Sequence, residues 1–386
     1  MAITTPAKQS GRNRISAFDE IHIIGTAIGA RGTLDSDSRA ALELAREWAD
    51  LGVPVTLYTD HPGYLLAQSH NLHNVVYCVW PAERWRRFGR PVHPLAKSLI
   101  GWLHARRIKT TGLIYSASDS WADVLASQHA RRLNPTARWV GKVQTIDPKY
   151  FLSYAANMIV TDQIKRNADL FFAVGAGDKA RFADKLGGRA YGLRLGIGRT
   201  ADEVAAAKRK RFDVCFIASG ESIGGWTQLA DTWRHVRMYK PGAKLAVMVG
   251  GSKGLSPLIK RLFVRRGLVD DVTWLFDPDE RVKRQTLLAG RIFISPFTDT
   301  NSVFIAEAMA AGLPVIGFDT PGLRSDYRMG LMTVPTGDWG SLGHLVIHIL
   351  NHRGLYLRLK RQAKAEAATR DWGRCAGQAL DFLKSA

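Results

Sequence analysis

Along most of this chain, compact apolar runs alternate with longer segments whose apolar residues recur every three to four positions. Residues 20–24, 53–58, 75–79, 112–115, 137–142, 168–174 and 190–195 are apolar runs of strand length. Between the first two, residues 35–51 place Ala40, Ala41, Leu44, Ala45, Trp48 and Leu51 on one helical face. Residues 121–132 and 151–166 fit further helices. Strands that are apolar throughout need cover on both faces, and the intervening helices supply it, so the pattern predicts a parallel, doubly wound sheet.

The charged stretch 196–212, GIGRTADEVAAAKRKRF, interrupts the alternation and reads as a linker. A second α/β series follows, with strands at 213–218, 243–249, 271–275, 291–295 and 314–318 and helices at 226–239, 255–266, 279–289 and 304–311. The last part, 342–386, reads as three helices. The expected organisation is a disordered polar tail (1–17), an N-terminal Rossmann-like domain (18–198), a linker (199–212), a C-terminal Rossmann-like domain (213–365) and a terminal helix (366–386).

The length of 386 residues allows two domains with real cores. No apolar run is long enough to cross a membrane, and the polar start, MAITTPAKQSGRNR, has no signal-peptide core. Cys78, Cys215 and Cys375 lack metal-ligand spacing and fit buried thiols in a reducing compartment. The formal net charge of +20 is concentrated. Within 83–109, the cations Arg84, Arg86, Arg87 and Arg90 interleave with Trp85 and Phe88, and Trp102 precedes Arg106, Arg107 and Lys109. Aromatics beside clustered cations suit an anionic membrane surface. The plainer alternative is a solvated basic face, and no nucleic-acid-binding motif accompanies it.

The segment 295–327, SPFTDTNSVFIAEAMAAGLPVIGFDTPGLRSDY, carries the chemistry. A strand stops at Pro296, a polar loop follows, a small-residue helix runs to Ala311, and a buried strand resumes after Gly312. That is a βαβ crossover, whose ligand face lies at the carboxyl ends of the strands. Asp299 sits in the loop and Glu307 in the otherwise apolar AEAMAAG. A carboxylate there is costly without a partner, and sugar hydroxyls are suitable partners.

These residues resemble the signature of the retaining GT-B glycosyltransferases, most closely glycosyltransferase family 4, in which two glutamates eight residues apart precede Ala-Met-Ala-x-Gly-x-Pro-Val-Ile. EAMAAGLPVI (307–316) matches in full, with Asp299 standing at the first glutamate. Weaker likenesses occur in the expected order: GTAIGARGT (25–33), NADLFFAVGAGDKARFADKLGGRAYGLRLGIG (167–198) and the terminal RDWGRCAGQALDFL (370–383), the last resembling the family's terminal helix, which implies that it packs back on the N-terminal domain. The resemblance implies the GT-B layout of two Rossmann-like domains facing a cleft. It implies that Glu307 takes the nucleotide ribose hydroxyls and Asp299 faces the donor sugar. Ser219, Gly224 and the backbone of Thr300, Asn301, Ser302 and Val303 then lie along the donor.

The family also places an Arg and a Lys on the diphosphate, and those positions hold Ala218 and Ile223 here. Lys253, Arg281, Lys283 and Arg194 are the candidate replacements; helix N-terminal amides, or a donor without a nucleotide diphosphate, are the alternatives. On the acceptor side, Gly29 and Gly32 belong to a loop that either approaches a ligand or only makes a tight turn. Asp147 either orients the acceptor or caps the next helix.

The resemblance therefore implies a retaining, metal-independent hexosyltransferase without a cofactor. Its nucleotide-sugar co-substrate would donate to a lipid-linked or polysaccharide acceptor, with the protein peripheral on the cytoplasmic face of the membrane. A non-catalytic GT-B scaffold of a polysaccharide assembly complex and a sugar-nucleotide epimerase are the competing classes.

Overall fold

A computed structural model describes residues 2–3, 19–29, 36–70, 72–82, 92–143, 151–174, 179, 187–197, 210–219, 223–250, 256–268, 270–297 and 303–386. They form two compact units. One comprises the described residues within Met1–Ala30, Asp37–Arg194 and Trp372–Ala386, and the other those within Arg31–Ser36 and Leu195–Asp371.

The first unit holds strands β1 (Ala2–Ile3), β2 (Ile21–Ile24), β3 (Val55–Thr59), β4 (Val75–Val79), β5 (Leu113–Ser116), β6 (Arg138–Val143), β7 (Leu170–Val174) and β8 (Ala190–Leu193). Its helices are α1 (Ser36–Asp50), α2 (His61–Ser69), α3 (Val92–Ala105), α4 (Trp121–Leu133) and α5 (Phe151–Asn167). The sheet order is β1-β4-β3-β2-β5-β6-β7-β8, and β2 through β8 run parallel. This is the doubly wound order that the alternation predicted, reversing direction between β2 and β5. Ile24, Ile114, Trp139 and Phe171 are fully buried in the core between sheet and helices.

Two local features differ from the sequence reading. Ala2–Ile3, inside the stretch expected to be a disordered tail, pairs antiparallel with Tyr77 and Cys78, giving the otherwise open edge of β4 a partner. Periodicity does not mark helix α2. Its signals are local: Asp60 accepts a hydrogen bond from Gly63 N at 3.1 Å as N-cap, and Pro62 lies in the first turn.

The second unit holds β9 (Phe212–Ser219), β10 (Leu245–Gly250), β11 (Val272–Phe276), β12 (Gly290–Ser295), β13 (Val315–Phe318) and β14 (Leu331–Val334). Its helices are α6 (Ile223–Tyr239), α7 (Ser256–Val264), α8 (Glu280–Ala289), α9 (Val303–Ala310), α10 (Pro321–Asp326), α11 (Trp339–Asn351) and α12 (Arg353–Ala368). All pairings are parallel in the order β11-β10-β9-β12-β13-β14, reversing between β9 and β12. Phe212, expected to end the linker, opens β9.

The terminal segment expected as one helix divides between the end of α12 and α13 (Trp372–Ser385), and α13 belongs to the first unit. Trp48 on α1 donates its indole N–H to Ala376 O at 3.1 Å, and Phe382 stacks on Tyr191 at 5.2 Å.

Candidate functional site

In the second unit the strand order reverses between β9 and β12, and Rossmann-like sheets bind ligands at the carboxyl ends of the strands at such a reversal. The loops leaving these strands approach closely. The Phe297 ring, just beyond β12, rests against Gly225 in the first turn of α6 so tightly that a Cβ there would overlap it. Phe297 also packs on Phe216 of β9 at 5.3 Å between ring centroids.

Helix α9 follows, and Val303, Phe304, Ile305, Ala306, Ala308 and Met309 are all buried. Glu307 breaks this apolar series with a side chain 10% exposed. Its carboxylate is met by Lys283 of α8, whose Nζ lies 2.7 Å from Glu307 Oε2 and whose side chain is 2% exposed. Lys283 also reaches Glu280 Oε1 at 2.9 Å and sits 5.3 Å from the centroid of Phe304. A buried ammonium between two carboxylates satisfies its charge and holds the Glu307 rotamer.

This placement revises one expectation. Lys283 was a candidate for the diphosphate, but its Nζ is taken up by Glu307 and Glu280, so its charge neutralises carboxylates. The (i, i+3) spacing from Glu280 foreshadowed half of this pairing, whereas the Glu307 half depends on how α8 and α9 pack. Arg281 on the same helix is exposed, and Arg194, just after β8, is exposed too. Val303 begins α9, and Ser219 ends β9, where it pairs with Gly250. Gly224 lies in the first turn of α6. Asp299, Thr300, Asn301, Ser302 and Lys253 lie outside the described residues.

The first unit has a corresponding loop at its own reversal point. After β2 the chain turns through Gly25–Gly29, and a buried polar network grips that turn. Asp123 on α4, fully buried, accepts hydrogen bonds from Thr26 N at 2.7 Å, Thr26 Oγ1 at 2.6 Å and Ser118 Oγ at 2.6 Å. Burial pushes its carboxyl above the usual range, while these donors and the charge of Lys97 pull it back. Lys97, buried on α3, donates to Thr26 O at 3.0 Å and pairs with the fully buried Asp60 at 2.5 Å. Thr59 Oγ1 donates to Gly25 O at 2.8 Å.

Sequence reasoning missed this network, because nothing in the spacing of Asp60, Lys97 and Asp123 joins them. Of the residues expected on the acceptor side, Gly29 lies in the gripped turn, its N–H donating to Ser38 Oγ at 3.2 Å; Gly32 and Asp147 lie outside the described residues, as do Arg84, Trp85, Arg86, Arg87, Phe88 and Arg90.

Gly29 has φ +75°, and a Cβ there would lie 2.9 Å from Pro62 O. Gly29→Ala therefore meets both a left-handed backbone and a clash, and we expect it to lower stability by about 1–3 kcal/mol. Urea unfolding checks this; an unchanged midpoint would contradict the assigned loop conformation.

Comparison with known proteins places these observations. Residues 211–352 match the family Glycosyl transferases group 1. A phosphatidyl-myo-inositol mannosyltransferase of Mycobacterium leprae is 26% identical over 184 residues, which cover 42% of this chain and 49% of that protein; the match thus spans about half the length of that relative. Among solved structures, Anabaena HepE in complex with UDP-glucose superposes with a TM-score of 0.72 at 16% identity, covering 95% of this chain and all of that one. Sucrose-phosphate synthase from Thermosynechococcus elongatus gives the same TM-score and identity, covering 95% of this chain and 98% of its own. Both likenesses concern the fold, which is GT-B.

Proposed function

We propose that this chain, a GT-B protein of the group 1 glycosyl transferases, moves a hexose from a nucleotide-sugar donor held by the second unit to a lipid-linked or glycan acceptor. The observation that carries the reading is Glu307. It lies inside the matched region, on the helix that follows β12 at the reversal point, with its carboxylate already oriented by Lys283.

A carboxylate has two acceptor oxygens and takes a vicinal diol as a pair, which is what a nucleotide ribose offers. Asp299 then faces the donor sugar. Transfer proceeds with retention: the departing diphosphate takes the proton of the acceptor hydroxyl as that oxygen bonds to the anomeric carbon. The chain supplies no general base in this scheme, and the reaction uses neither a metal nor a cofactor. The amides at the start of α6 and α9 stabilise the leaving diphosphate, assisted by Arg281 among the candidate side-chain cations.

The name of the mycobacterial relative supports a lipid acceptor, and the basic block supports work at the inner face of the membrane. Ala218 and Ile223 at the family's cation positions favour the competing reading, a non-catalytic GT-B scaffold.

Isothermal titration of a panel of UDP- and GDP-sugars separates the two readings. We expect one donor to bind with Kd between about 1 μM and 1 mM, the usual range for enzyme substrates. Folded protein that binds no donor in the panel would favour the scaffold, and release of an epimerised nucleotide-sugar without acceptor would indicate an epimerase.

A further inference from the structure

We propose that the outward face of α3 docks on an anionic phospholipid bilayer and holds the acceptor-side loop at headgroup depth. Leu95, Leu99 and Leu103 are 73%, 58% and 44% exposed. Spaced at i, i+4 and i+8, they form one ridge along the helix. Single exposed leucines are ordinary, but three in register make a continuous apolar strip.

Its surroundings select the partner. At the carboxyl end of the helix, Arg106 and Arg107 are exposed, as is Lys109 just beyond, and the Arg106 guanidinium lies 4.5 Å over the Trp102 ring. From residue 84 to residue 118 the sequence contains no Asp or Glu. A protein partner would ordinarily set carboxylates against such a surface. A bilayer with anionic headgroups offers negative charge over its whole plane and an acyl layer for the leucines.

The inner face of the same helix is anchored. Gly101 lies against Trp80 and α4, Trp102 packs on His129 at 4.5 Å, and Lys97, between Leu95 and Leu99 in sequence, reaches inward to Asp60 and Thr26 O. The ridge is thus carried on a fixed support. The Gly25–Gly29 turn sits on the other side of that helix, about one helix diameter (~10–12 Å) from the lipid surface. On the glycosyltransferase reading above, this geometry selects an acceptor hydroxyl within a lipid headgroup or its first sugar, in preference to the end of a long glycan.

The test is co-sedimentation of the full chain with sucrose-loaded vesicles of phosphatidylcholine alone or with phosphatidylglycerol at 7:3. We expect binding to the anionic vesicles, weakened on the order of tenfold or more in Leu95→Ser/Leu99→Ser/Leu103→Ser and in pure phosphatidylcholine. Arg106→Gln/Arg107→Gln should weaken it at low salt, with a deficit that shrinks as salt rises and screens the parent's cations. Thermal melts verify that these surface variants are folded.

Undiminished binding of the triple-serine variant overturns the docking proposal, as does absence of binding by the parent chain. So does a parent dimer that the triple-serine change splits, since the ridge would then join two copies. Donor titration without vesicles reads the second unit separately, so loss of docking with intact donor binding leaves the enzymatic reading standing. Radiolabel transferred from the donor should partition into organic solvent with lipid; label only in water-soluble glycan refutes the acceptor assignment.

Discussion

Glu307→Ala should abolish nucleotide-sugar binding, raising Kd by a factor on the order of 100 or more. Two hydrogen bonds from a diol to a carboxylate contribute about 1.5–3 kcal/mol each, and the alanine removes both. The same change strips Lys283 of one of its two carboxylates at a site 2% exposed. Breaking one side of a buried ion pair costs about 3–5 kcal/mol, and Glu280 at 2.9 Å should hold the loss to the lower end.

The two effects are separable. Glu307→Gln retains shape and one acceptor oxygen, so it should weaken binding less than alanine does. Lys283→Met combined with Glu307→Gln should lose less stability than the two single changes added together, because the pair is counted once. Calorimetry with the selected donor and urea unfolding give both quantities. If Glu307→Ala binds the same donor within about threefold of the parent, Glu307 does not hold the ribose.

The second large effect is structural and lies in the first unit. Lys97→Met should destabilise the protein by about 3–5 kcal/mol, lowering its melting temperature on the order of 10 °C. The lysine neutralises Asp60, which is fully buried, and also holds Thr26 O. Methionine preserves the length of the side chain and leaves the carboxylate without its cation.

The deficit should depend on pH, with a definite sign. Lys97 lowers the pKa of Asp123, so its removal raises that folded-state value further. A group whose folded pKa lies above its unfolded value contributes stability that is complete below the unfolded pKa and is lost as pH rises through the folded one. The gap between parent and variant should therefore be widest at neutral pH and narrow as the acid range is approached. Asp60→Asn together with Lys97→Met should recover part of the loss. Superimposable melts of parent and Lys97→Met at neutral pH would show that the ion pair contributes nothing.

Much of the architecture was legible because it rests on local periodicity. Apolar runs bounded by turn residues marked β3, β4 and β12, and the three-to-four spacing of Ala41, Leu44, Ala45 and Trp48 marked α1. EAMAAG also located Glu307 as the carboxylate in an apolar helix. Short elements were harder. Helix α2 is announced only by Asp60 and Pro62, and the pairing of Ala2–Ile3 depends on an open strand edge that local sequence does not display.

The sequence by itself thus determined the alternation of the longer strands and helices, the two-unit layout and the position of Glu307 in an apolar helix, since each is set by residues within a few positions of one another. The tertiary structure decided which charges meet. Lys283 finds Glu307 because the fold brings α8 beside α9, and Lys97 finds Asp60 and Thr26 because the fold brings α3 to the loops that leave β3 and β2. It likewise decided which face of α3 is left outward, leucines at the surface and lysine within. Burial and ion pairing depend on segments far apart along the chain, and only the folded order of the sheet brings those segments together.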